Sequence, residues 1–125
     1  MGKNIVQLGT RAAQAGAVAL YILAGNPASA VGKYTRIDPQ GSKYTSPTGI
    51  NRPGAIAGTY SDASSLLHGF VRTGDGTITS FDPTGSSGTF PTAIDDGGAI
   101  AGYCSDASHV THGFLRKPDG TIKSF

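Results

Sequence analysis

The feature that most constrains this chain is an internal repeat with a period of 44 residues. Shifting the sequence by 44 positions aligns residues 53–81 with residues 97–125, and 19 of these 29 positions are identical. The same shift aligns residues 34–52 with residues 78–96, with 9 identities in 19 positions. A period of 20–50 residues is typical of arrays, solenoids and propellers, in which each unit packs on its neighbour. The repeat therefore predicts a stack of similar units.

Each copy predicts four short β-strands separated by turns that contain glycine. The sequences Thr73-Gly74-Asp75-Gly76 and Lys117-Pro118-Asp119-Gly120 lie between runs of β-forming residues, which predicts two hairpins, over residues 66–81 and 110–125. The strands of one copy are expected at residues 54–60, 66–72, 77–81 and 89–94. Counting from Tyr34 predicts nine strands, and no segment past residue 30 has the 3.6-residue period of a helix.

These patterns favour an all-β fold of tandem four-stranded antiparallel units, arranged like the blades of a β-propeller. The small residues on both faces of segment 54–58 suggest the innermost strand of a blade. A β-solenoid is the alternative, although its coils are usually shorter. Because a closed propeller needs about four blades, two copies form an incomplete ring. We therefore expect either a fragment of a longer array, which the end at Phe125 favours, or a protomer that self-associates through its open faces.

The first thirty residues differ in kind from the rest. Lys3 and Arg11 precede an apolar stretch over residues 12–24, and Ala28-Ser29-Ala30 supplies small residues typical of a cleavage site. This pattern predicts a helical secretory signal over residues 1–30, followed by a β-repeat domain over residues 31–125. The apolar stretch is shorter than the roughly 20 residues that span a bilayer, so no membrane span is expected after signal removal.

Composition excludes several classes of function. The net charge of +2 argues against a nucleic-acid binder that neutralises phosphates. A single cysteine excludes an intramolecular disulfide framework and a four-cysteine zinc site. No phosphate-binding loop and no nucleophile elbow are present, and we expect no cofactor.

The chemistry-bearing residues recur once in each copy, and we interpret them as structural. Aspartate and histidine are found six residues apart in both copies, followed by Gly-Phe. A carboxylate that orients an imidazole is half of a catalytic triad, but a pair present in every unit more often satisfies backbone groups. The predicted structural positions are Asp62, His68, Phe70, Asp106, His112 and Phe114.

The second copy adds a candidate binding set. Asp106, His109 and His112 have the spacing Asp-x2-His-x2-His, whereas Ser65 replaces His109 in the first copy. Residues three apart in a strand point to opposite faces, so we expect no metal there. Asp95-Asp96 could contribute oxygen ligands to Ca²⁺, but a solvated turn is the favoured interpretation.

The repeat resembles the HAF-type extracellular repeat of bacterial proteins, which is named for a His-Ala-Phe triplet. The words that carry the resemblance are Gly49-Ile50-Asn51, Gly54-Ala55-Ile56-Ala57-Gly58, His68-Gly69-Phe70 and Thr77-x-Thr79-x-Phe81-Asp82. Gly69 and Gly113 replace the alanine, and the second copy departs at Ala93-Ile94-Asp95. The resemblance implies secretion and β-repeat architecture, and it implies no active site.

Together these observations predict a secreted, non-catalytic interaction module. It would present the loops over residues 61–65 and 105–109 to a partner protein or a glycan. The alternatives are a fragment of a propeller-type extracellular enzyme that acts on polysaccharide, or a truncated reading frame without a function of its own.

Overall fold

The computed structural model describes residues 34–125, and the predicted signal helix lies outside them. Residues Asp38–Phe125 form one compact unit. Every strand among the described residues belongs to this unit, and the same residues contain no helix. The prediction of an all-β, largely antiparallel chain is thus confirmed. No helix within residues 34–125 is long and apolar enough to cross a membrane.

Eight strands form one open sheet that consists of two similar modules. The first module is β1 (Tyr44–Ile50), β2 (Ile56–Ser61), β3 (Leu67–Arg72) and β4 (Ile78–Phe81), and the second is β5 (Ser86–Ile94), β6 (Ile100–Asp106), β7 (Thr111–Arg116) and β8 (Ile122–Ser124). Neighbours along the chain pair antiparallel within each module. A single parallel pair, Leu67 with Gly88, joins β3 to β5.

One kind of five-residue turn closes all six hairpins. In each, the first residue accepts a hydrogen bond from the fourth and donates one to the carbonyl of the fifth, as in the turn from Thr73 to Thr77. The fourth residue has a positive φ in every case. It is glycine in four of the turns, which adopts this conformation without a steric penalty. The glycine and aspartate motifs that recur in the sequence thus encode the same turn each time.

The two modules pack face against face. We call the side of each module that carries Ala57, Val71 and Phe81, or the equivalent Ala101, Leu115 and Phe125, its front face. The opposite side is the back face, and in the second module it carries Ile100, Cys104, Phe114 and Arg116. The core consists of the front face of the first module packed on the back face of the second: Ala57, Val71, Phe81, Ile100, Cys104 and Phe114.

Aromatic and hydrogen-bonding contacts lock this interface. The rings of Phe81 and Phe114 meet edge to face with centroids 5.9 Å apart, and the Arg116 guanidinium lies 4.9 Å from the Phe81 centroid. The hydroxyl of Thr48 donates to the carbonyl of Pro91 at 2.9 Å, and that of Thr59 donates to Thr89 at 3.2 Å. Each module therefore depends on its neighbour to cover its apolar face.

Two sequence predictions about the strands are wrong. Residues 34–37 do not form a strand, so the described residues contain eight strands instead of nine. The equivalent segment β4 is a strand because it pairs with β3, whereas no such pairing within residues 34–125 includes residues 34–37. Segment 54–58 is also not innermost, because β2 lies between β1 and β3.

The small residues of β2 serve a close approach within the module. A β-carbon on Gly58 would lie 2.3 Å from the carbonyl oxygen of Ser46, and one on Gly102 would lie 2.3 Å from that of Phe90. In both modules the neighbouring strand, β1 or β5, bulges at this point, with its register shifted after Pro47 or Pro91. Glycine lets the bulged strand cross closely over its partner.

Candidate functional site at the turns between the second and third strands

Two equivalent turns, at the same end of both modules, carry most of the chemistry predicted from the sequence. In the first, one carboxylate oxygen of Asp62 accepts hydrogen bonds from the amides of Ser64 (2.8 Å) and Leu66 (3.0 Å). In the second, Asp106 accepts from Ser108 (2.8 Å) and Val110 (2.9 Å). The aspartate thus holds each turn in shape through backbone groups that would otherwise depend on water.

These two turns differ from the other four hairpins at their fourth residue. Ser65 has a φ of 67° and His109 a φ of 64°, whereas the equivalent residue is glycine in the remaining turns. An L-residue in the left-handed region costs about 1 kcal/mol or more relative to its preferred conformation. The chain therefore retains side chains at the tips where glycine would be cheaper.

The turn surfaces are exposed and rich in hydroxyl groups. Leu66 and Val110, which follow the strained residues, are 53% and 51% exposed. Around each lie exposed or half-exposed serine, aspartate and alanine side chains. The result is a pair of small surfaces that combine an apolar contact with hydrogen-bonding groups.

Behind the first turn, His68 lies between two carboxylates. Its Nε2 is 3.0 Å from Asp62 Oδ2, and its Nδ1 is 2.7 Å from Asp82 Oδ2. The hydrogen bond to Asp82 and, to a smaller extent, that to Asp62 raise the pKa of His68 above 6.5, although burial opposes the shift. Asp82 also accepts a hydrogen bond from Thr89 of the second module. This histidine therefore links the turn to the interface between the modules.

The equivalent histidine of the second module has a simpler environment. His112 Nε2 is 2.9 Å from Asp106 Oδ2, and this hydrogen bond raises the pKa of His112 while lowering that of Asp106. The structure thus brings Asp106 and His112 together, as it does Asp62 and His68. His109 is separate from them at the exposed tip, where its amide donates to the Asp106 carbonyl.

The surroundings of His68 and Cys104 restrict the chemistry that each side chain can perform. Both ring nitrogens of His68 are engaged by carboxylates, so neither accepts a proton from a nucleophile. Within residues 34–125 no group of three or more histidine, cysteine, aspartate or glutamate side chains could hold a metal ion. Cys104 is buried, which raises the pKa of its thiol and makes it a poor nucleophile.

Two further aspartates, Asp95 and Asp96, and the phenylalanines repeated in the two copies have structural contacts. Asp95 accepts from the amide of Ala99 at 2.8 Å, and Asp96 accepts from the amide of Arg52 at 2.9 Å. Phe70 and Phe114 are both buried on the back faces. Asp95 and Asp96 thus hold turns and join the modules at the end opposite the histidines.

Sequence reasoning missed the roles of Asp82 and Arg116. Asp82 is separated from His68 by a whole strand, so spacing alone did not connect them. Arg116 is buried against Phe81 and borders a cavity of about 360 Å³ between the modules, and its Nε has no hydrogen-bond partner among the described residues. The available signal was the arginine found at the same position in both copies, as Arg72 and Arg116.

No protein-family model matches this chain, and no curated protein or solved structure matches it either. Any function must therefore be inferred from the geometry and the sequence.

Proposed function

We propose that this chain is a secreted, non-catalytic β-repeat protein that binds a glycan through the turns at residues 61–65 and 105–109. In this proposal the two modules are blades of a propeller-like array of the HAF-type extracellular repeat. Secretion is supported by the signal pattern over residues 1–30. The blade assignment is supported by two four-stranded modules of the same order and register that pack face against face.

The observation that carries the binding role is the positive φ of Ser65 and His109. Strained non-glycine backbone is concentrated at functional sites, where the side chain is needed despite its conformational cost. The strain occurs at the same turn in both modules and at none of the other hairpins. A side chain retained there in both copies supports a surface role for these tips.

The chemistry of the turns favours a glycan as the ligand. Serine hydroxyls donate and accept hydrogen bonds, as sugar hydroxyls do, and carboxylates accept them. The adjacent Leu66 and Val110 offer apolar contacts. A non-catalytic role is supported by His68, whose two nitrogens are both engaged by aspartates.

The proposal is tested by binding of the full-length chain to a printed array of bacterial surface polysaccharides. We expect the wild-type chain to bind a subset of them, and the double variant Ser65→Gly/His109→Gly to lose at least tenfold in affinity while staying folded. The matched control is Thr77→Ala/Thr121→Ala, which changes exposed residues in turns at the other end of the modules. The control should bind as the wild type does.

Absence of wild-type binding, or equal binding by the turn variant, contradicts the proposed function. A second readout addresses the enzyme alternative. The bound polysaccharide is incubated with the chain and its reducing ends are counted. No increase is expected, whereas new reducing ends would identify a hydrolase.

A further inference from the structure

The interface between the two modules supplies a template for a contact between two copies of this chain. In the template, Phe81 on the front face of the first module meets Phe114 and Arg116 on the back face of the second. Phe81 and Val71 are only 8% and 7% exposed as a result. Both halves of this contact occur a second time in the chain, once at each end of the pair of modules.

The front face of the second module is equivalent to the buried front face of the first module, but its side chains are exposed. Leu115 lies where Val71 lies in the first module and is 37% exposed, and Phe125 lies where Phe81 lies and is 69% exposed. Ala101 is exposed as well, although the equivalent Ala57 is fully buried. The second module thus presents the apolar surface through which the first module binds its neighbour.

The back face of the first module is equivalent to the buried back face of the second module, but it is only partly buried. Ile56 and Arg72 are half-buried, whereas the equivalent Ile100 and Arg116 are buried in the template. Phe70, in contrast, is fully buried. The accessible part of this face is therefore its Ile56 and Arg72 side.

Charge at the edge of the interface suits the same pairing. In the template, Arg52 lies beside Asp96, with Arg52 Nε 3.8 Å from Asp96 Oδ2, and the two residues occupy equivalent positions in the two copies of the repeat. A second copy docked in the same way brings its Arg52 to the Asp96 of the first. Opposite charges then meet at the junction.

From these observations we infer that this chain associates head to tail, the front face of the second module of one copy binding the back face of the first module of another. The contact is heterologous, so a pair of copies keeps one free face of each kind and can bind further copies. Phe90 and Tyr103, stacked with centroids 4.9 Å apart, replace the smaller Ser46 and Thr59 of the template. These rings hold the copies further apart at that edge, and the contact concentrates on Leu115 and Phe125.

The inference is independent of glycan binding, because it uses the sheet faces and not the turns. It is tested by light scattering of the full-length chain over a concentration series. The wild type is expected to rise from its chain mass of 12.7 kDa to at least twice that mass. Leu115→Asp and Arg72→Asp should each abolish the rise. Thr121→Asp, which adds the same charge at an exposed turn residue outside the faces, should leave it unchanged.

The decisive arm mixes the two disabled variants. Leu115→Asp retains an intact back face and Arg72→Asp an intact front face, so an equimolar mixture should form a one-to-one dimer and nothing larger. Circular dichroism of each variant establishes that it is folded. If either variant is unfolded, Phe125→Ser and Ile56→Ser replace the pair in the same mixing experiment. A wild type that stays monomeric overturns the inference, as does association that survives in Arg72→Asp alone, which would indicate a symmetric contact between front faces.

Discussion

The two modules share nearly the same sequence motifs, yet their equivalent residues differ in burial and in the residues they contact. Phe81 is packed beneath Arg116, whereas Phe125 lies exposed on the front face of the second module. His68 contacts two carboxylates, and His112 contacts one. The turns, in contrast, have the same geometry in both modules.

This contrast separates what a repeat encodes locally from what its neighbours supply. The turn is formed by residues close in sequence, so it has the same geometry wherever its sequence motif occurs. The burial of the phenylalanine depends on whether another module covers the face. Substitutions at equivalent positions should therefore have unequal effects on the faces and equal effects in the turns.

The largest inequality is expected between Phe81→Ala and Phe125→Ala. Removing the buried ring of Phe81 leaves a cavity beside Phe114 and Arg116, and we expect a loss of about 3–4 kcal/mol in the free energy of unfolding. Phe125→Ala should cost less than about 0.5 kcal/mol, as exposed substitutions do. Urea unfolding of both variants at low protein concentration provides the measurement, and equal losses would contradict the face-to-face packing.

A second inequality is expected at the glycines beneath these rings. A β-carbon on Gly69 would lie 2.8 Å from the Phe81 ring and 3.0 Å from Thr89, whereas one on Gly113 would lie 3.4 Å from Phe125. Gly69→Ala should therefore destabilise the fold by about 1–3 kcal/mol through overpacking. Gly113→Ala should be neutral or stabilising by about 0.5 kcal/mol, because the exposed ring can move and alanine has a lower unfolded-state entropy.

Thermal unfolding of the two glycine variants distinguishes these effects. A Gly113→Ala variant as unstable as Gly69→Ala would show that the second front face is as tightly packed as the first.

The turns should show equality instead. Ser65→Gly and His109→Gly each remove a left-handed non-glycine residue, and each should raise the free energy of unfolding by about 1 kcal/mol. The controls are Ser64→Gly and Ser108→Gly. These serines directly precede Ser65 and His109, the residues with a positive φ. Calorimetry should show a gain only for the first pair, and a loss in either member would argue against the strain.

The smallest effect is a difference in pH dependence between the histidines. The folded-state pKa of His68 lies above 6.5, so its pairing stabilises the fold fully below pH 6.5 and is lost as the pH rises through that raised pKa. Asp62 has a pKa below 3.8, so its contribution is present above 3.8 and is lost as the pH falls through the lowered value.

His68→Gln should consequently cost more stability near pH 5 than near pH 9, by an amount that solvent keeps small, about 1 kcal/mol or less. His112→Gln should show a weaker pH dependence, because His112 has one carboxylate partner. The imidazole pKa values from NMR titration provide an independent check. A pKa of His68 at or below 6.5 would contradict the double pairing.

Much of the pattern of strands and turns was predictable from the sequence, because short local motifs encode it. Thr73-Gly74-Asp75-Gly76 predicted a hairpin that the structure contains. The position of segment 54–58 was not predictable in this way. Its small residues indicate a close approach, but they do not specify whether the partner is a neighbouring module or the adjacent strand.

Contacts between the two modules could not be predicted from the sequence for a related reason. Asp82 reaches His68 and Thr89 only because β4 folds back along β3 and the second module follows. Arg116 reaches Phe81 only through the stacking of one module on the next. The strand β4 likewise depends on its pairing with β3, which no local pattern records.

The packing of the first front face on the second back face is tested most directly by NMR at Arg116. Because its guanidinium lies over the Phe81 ring, we expect the Arg116 side-chain resonances to be shifted upfield and to show nuclear Overhauser contacts with Phe81. Both signals should disappear in Phe81→Leu. Arg116 resonances at ordinary positions in the wild type, without contacts to Phe81, would contradict the stacked arrangement.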